Sequence, residues 1–196
     1  MIDRSSSSLV TRMRDGRAWR IGTDAEVAWI ANGTSPGLEI SSAIPLVFEA
    51  YATIVVPAWG QADARRDHDR LVVRLLAENA SEQPWWLGYL DTGSEDVIFA
   101  NAPMVTLYAG WRYVLIEAGP TQALAWRNDP RSERGPVPDL IFPGDRSWLV
   151  SRLWDDDWRC VGGDATLVDR FLSTAGLEAR RVHPTEDATP PGHVAR

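Results

Sequence analysis

Apolar residues recur at helical spacing most clearly in 65–80, where Leu71, Val72, Leu75 and Leu76 fall on one face and charged residues take the other. That period predicts an amphipathic helix. A second is expected in ATLVDRFLSTAG, with Asp164 as its N-cap and Gly176 closing it. Two shorter ones follow from end signals: AEVAWIAN between Asp24 and Gly33, and a turn or two from Pro120 to Trp126, with proline at the first helical position.

Elsewhere the pattern shortens to strand-like runs. LEISSAIPLVFEAYATIVV, residues 38–56, is rich in β-branched and aromatic residues, and Pro45 divides it, so a strand is expected on either side, with a helical turn over Leu46–Tyr51 as the alternative. WWLGYLD, DVIFA, MVTLY and WRYVLIE are separated by TGSE, NAP and AG turn signals and read as an antiparallel meander at the centre of the sheet. Ser147–Trp154 and WRCV form a hairpin if Asp155–Asp157 is a three-residue turn, which would set Trp154 against Trp158. LEARRVH supplies a last strand.

Together these runs predict one α+β domain over 19–182, with a central antiparallel sheet of about five or six strands flanked by helices. Residues 1–18 read as a flexible leader rich in Arg and Ser, and 183–196 as a disordered tail. NDPRSERGPVP reads as a mobile loop.

Composition narrows the chemistry. All 20 basic residues are Arg, so mechanisms that need a lysine amine, including Schiff bases, the Walker lysine and the Ser-Lys dyad, are excluded. A net charge of −7 argues against a nucleic-acid partner, which requires concentrated positive charge. No apolar run suits a secretory signal or a membrane span, and a single cysteine agrees with a reducing compartment, so a cytoplasmic location is expected with no membrane partner.

Asp155, Asp156 and Asp157 could offer oxygen ligands to a hard cation, but adjacent residues point in different directions and no second carboxylate cluster completes a site. His68, between Asp67 and Asp69, could act as an acid or base, yet it shares a helical face with Leu71 and Val72. His183 and His193 lack zinc-binding spacing, and Cys160 alternates with Trp158 as a small core residue does. No nucleophile elbow, dinucleotide loop or P-loop occurs. Neither a metal nor a cofactor is expected.

Ten Trp and abundant Arg suit an interaction surface, since both dominate binding hot spots, while an acidic rim steers basic partners. Trp59 in PAWGQ, Arg131 and Arg134 in the long loop, and the Asp155–Asp157 triplet are the expected contact residues. The expected function is therefore non-enzymatic protein binding, with a basic protein as the expected partner. Two alternatives stand beside it: a carboxylate-based hydrolase or transferase using the triplet with His68 or Arg146, and a Trp-lined binder of a small molecule or carbohydrate.

AIPLVFEAYATIV, PWWLGYLDTG, GWRYVLIEAGP and PGDRSWLVSRLWDDDWRCVGG together resemble a set of uncharacterised cytoplasmic proteins of high-GC Gram-positive bacteria, over residues 19–192. That resemblance implies kinship and carries no reaction. The segment IP-x-x-F-x-x-Y, from Ile44 to Tyr51, also resembles the SUKH superfamily of toxin-immunity and scaffold proteins, although the early glycine-tryptophan signature of that superfamily is missing. What it implies is a stoichiometric inhibitor of a basic toxin.

Overall fold

The computed structural model describes residues 10–12, 17–58, 60–79, 83–92, 102–127, 135–153 and 156–195. Strands β1 (Val10–Arg12) and β2 (Ala18–Ile21) precede helix α1 (Asp24–Gly33), a 3-10 turn at Ile40–Ser42, β3 (Ala50–Val55) and α2 (Ala62–Asn79). Then come β4 (Trp85–Leu90), β5 (Val105–Leu107), β6 (Trp111–Ala118), α3 (Pro120–Ala125), β7 (Leu140–Pro143), β8 (Leu149–Ser151), β9 (Trp158–Gly163), α4 (Ala165–Ser173) and β10 (Ala179–Val182).

All pairings are antiparallel, and the strands run β1-β2-β6-β4-β7-β8-β9-β3-β10, with β5 added beside β6. The α+β class agrees with the sequence pattern. Among the described residues, however, the sheet has ten strands rather than five or six. β1, β2 and β7 account for much of the difference. The first two are only three and four residues long, and β7 follows a proline-bearing stretch, so none carries a periodic signal of its own.

Both faces of the sheet are covered. On one side Val72 and Leu76 of α2, Ala123 of α3, and Leu167 and Phe171 of α4 pack against Trp85, Leu87, Ile116, Ile141 and Val161. On the other, Val27 and Ile30 of α1 join Ile40 and Ile44 over Trp86, Leu115, Phe142, Leu149 and Cys160. This sandwiching explains why β4 reads WWLGYL without polar alternation: Trp85, Leu87 and Tyr89 face one layer while Trp86 and Leu90 face the other.

Several local expectations are corrected. The 38–49 half of the β-rich run is a 3-10 turn and loop, because Ile40, Ala43 and Ile44 turn inward as a plug instead of pairing. Thr23, not Asp24, caps α1: its hydroxyl accepts from Ala25 N–H while Glu26 reaches back to the Thr23 N–H in a capping box. Asp164 caps α4 as expected, accepting from Leu167 N–H at 2.6 Å. Ser151 pairs with Cys160, so the β8–β9 connection spans 152–157 and is wider than a three-residue turn. Trp154 and the DVIFA run lie outside the described residues.

Residues at both ends join the body. Val10–Arg12, within the span expected to be a leader, pair with β2. In the span expected to be a tail, Ala188 N–H donates to Leu38 O at 2.8 Å and Asp187 bridges to Glu39. Arg180 holds Glu186 and the carbonyls of Asp187 and Thr189.

Candidate functional site

Those of the residues singled out from sequence that the structure describes are spread over both sides of the sheet. Trp59, Arg131, Arg134 and Asp155 lie outside the described residues. Asp156 is buried, with its carbonyl accepting from Arg152 Nε at 2.8 Å, and Asp157 is half-buried and 2.7 Å from His193 Nδ1. That histidine stands edge-on to Trp158, on the α1 side of the sheet. His68 sits on the opposite side, enclosed by α2. Arg146 returns to the α1 side, stacked 5.7 Å from the centre of the Trp29 ring. His68 and Arg146 therefore lie on opposite sides of the sheet.

His68 belongs instead to a sealed ionic lattice. Asp69 Oδ1 accepts from Arg159 Nη2 at 3.1 Å and lies 3.1 Å from His68 Nδ1, while Oδ2 accepts from Val137 N–H at 3.2 Å. Arg159 Nη1 donates to Pro138 O, and Arg127 Nη2 donates to Asp139 Oδ2 at 2.8 Å. Asp139 Oδ2 also accepts from Leu90 N–H. All five side chains are buried.

Burial alone would push the Asp69 carboxyl up, but the Arg159 guanidinium, the His68 ring and the Val137 N–H together hold it below the ordinary carboxylate range. Gly135 enters this lattice at φ +79°, and a Cβ there would come within 2.7 Å of Asp69 Oδ2. The lattice clamps residues 135–139 onto α2, and its five side chains are buried, an arrangement that holds the fold together.

The outward-facing feature is at the β10 end of the sheet. β10 pairs only with β3 among the described residues, so its other edge has no strand neighbour. Beside it the loop from Pro45 to Glu49 presents Leu46 and Val47, which are 48% and 69% exposed. The loop is braced from within: Phe48 N–H donates to the Tyr51 hydroxyl at 2.9 Å, and Glu49 accepts from Ala165 N–H at the start of α4. Burial raises the Tyr51 hydroxyl above its ordinary pKa, so it stays neutral while accepting that bond.

Leu46, Phe48, Tyr51, His183 and Pro184 line an open recess of about 260 Å³ at this edge. Leu38, 55% exposed, lies beside Ala188 where the C-terminal segment crosses. Glu49 and Arg181 also line the recess, and the arginines of β10 are paired, Arg180 with Glu186 and Arg181 with Asp169. The exposed Leu46 and Val47 thus stand beside a recess of mixed polar and apolar lining.

This surface escaped the sequence reading because exposure decides it. Leu46 and Val47 occupy a run whose composition matches the buried strand that follows. The one available signal is Pro45, which interrupts pairing just before them.

Among the described residues no three His, Cys, Asp or Glu side chains gather into a metal-sized group, and no helix is long and apolar enough to cross a membrane. No family model, curated protein or solved structure matches the chain.

Proposed function

We propose that the protein acts by binding another protein at the β10 end of its sheet, with Leu46 and Val47 as the apolar anchor. The observation that carries this reading is the bracing of their loop: two large apolar side chains are held toward solvent by the Tyr51 hydroxyl and the α4 N-terminus, so little conformational entropy is lost on docking. The net charge of −7 and the exposed Leu46 and Val47 favour a partner with basic residues around an apolar knob. One-to-one neutralisation of a basic toxin, as the SUKH-like segment around these same residues suggests, is the specific form proposed.

The test is titration of the purified chain with the purified products of genes adjacent to its own, by calorimetry. The expected result is a one-to-one complex of about micromolar affinity or tighter that weakens with salt. The paired change Leu46→Asp and Val47→Asp should weaken it at least about tenfold while leaving stability within about 0.5 kcal/mol, since both positions are exposed. The reading fails if no adjacent product binds at micromolar concentration, or if the paired variant binds as well as the parent.

A further inference from the structure

A second concavity lies between the C-terminal end of α1 and the β5–β6 hairpin. It has a volume of about 160 Å³ and is walled by Tyr108, Trp111, Leu153 and Ala31, with Ser35 and Ser42 on its border. Its lining shares no residue with the Leu46 recess. We propose that it binds a small uncharged aromatic ring bearing one or two hydrogen-bonding substituents.

The size sets the first limit. At about 30 Å³ per liquid water, the space corresponds to about five waters, enough for one ring and too little for a nucleotide or a drug-sized ligand. The lining sets the second. Among the described residues no charged side chain lines it, so an ion entering here would lose hydration without a counter-charge from them.

Two aromatic side chains, Tyr108 and Trp111, stand with ring centres 6.1 Å apart and planes at 61°, which leaves an angled corner suited to edge-to-face contact with a third ring. Among the described residues the Ser35 and Ser42 hydroxyls make no hydrogen bond within the protein, whereas the Thr34 hydroxyl is engaged with Ile30 O. The serines therefore supply the polar recognition.

Backbone strain points to the same corner. Tyr108 has φ +52°, a left-handed conformation that a bulky residue rarely adopts, in the tight turn closed by Gly110 N–H donating to Leu107 O. It is held there by its hydroxyl, 2.7 Å from Ser151 Oγ and donating to Ala43 O at 3.1 Å. Strain maintained by bonds to β8 and to the 3-10 turn fixes the aromatic wall before any ligand arrives.

Ligand-observed NMR on the full chain tests this with phenol, and with benzoate and glucose as charged and saccharide comparisons. Phenol should bind saturably with a dissociation constant of about 1 mM or tighter, reasonable for so few atoms. Benzoate should bind at least about tenfold more weakly, and glucose should not compete. Filling the recess from either exposed wall, by Ala31→Phe or separately by Ser35→Phe, should abolish saturation while the Leu46–Val47 surface keeps its partner affinity. Failure of phenol to saturate at about 20 mM, undiminished binding in both filled variants, benzoate matching phenol, or glucose binding in its place would each overturn the assignment.

Discussion

Asp69 and Arg159, 90 positions apart in the chain, meet between α2 and β9 with carboxylate oxygen and guanidinium nitrogen 3.1 Å apart and essentially no solvent access to either. Around them Val137 and Pro138 contribute backbone donors and acceptors, so one ion pair ties a helix, a strand and a connecting segment together.

Removing one partner should therefore be severe. Arg159→Met leaves the Asp69 carboxylate buried against only His68 and Val137, and should cost about 3–5 kcal/mol. Urea denaturation monitored by tryptophan fluorescence reads this as a fall in midpoint at constant slope. A loss below about 1 kcal/mol would mean that the pair is solvated in solution.

The same pair makes stability depend on acid. Because the folded Asp69 carboxyl titrates below its unfolded value of 3.8, its contribution is fully present above that pH and is lost as pH falls through the lower folded value. The stability gap between the parent chain and Asp69→Asn should thus be widest near neutrality and narrow below about pH 4. Denaturant midpoints across that range decide it, and a gap unchanged with pH contradicts the assignment.

Tyr108→Phe keeps the aromatic wall but removes the hydroxyl that bridges Ser151 and Ala43 O. With the left-handed turn no longer anchored, the loss should be about 1–3 kcal/mol. Thermal unfolding of the two proteins makes the comparison. Equal stability would show that the hydroxyl does not offset the strain.

Cys160 should be inert in the folded chain. Burial pushes its thiol pKa far up and the nearby Asp156 charge pushes it further, so almost no thiolate forms at pH 8. A disulfide reagent should react only after denaturant is added, with one thiol per chain released to titration. Rapid labelling of the native protein would mean that β9 opens readily.

Elements with a pronounced local pattern were legible before folding: α2 through its apolar face, α3 through Pro120, and α4 through Asp164 and its amphipathic stripe. β4 and β6 announced themselves through β-prone runs bounded by turn residues. Of the expected contact residues only Asp156 and Asp157 lie within the described structure. The former is buried and the latter is engaged with His193 of the C-terminal segment.

Class of fold, absence of lysine chemistry, acidic balance and the main helices follow from residue type and near-neighbour spacing, since backbone propensity and capping act over a few positions. Tertiary structure alone decided which charges are sealed in and which apolar residues face water. Asp69 is indistinguishable in sequence from Asp67, yet one is locked to Arg159 and the other is exposed and paired with Arg70. Val47 and Val55 are likewise the same residue in one β-prone run, but strand pairing claims only the second. Burial is a property of which distant segments converge, and no window along the chain carries it.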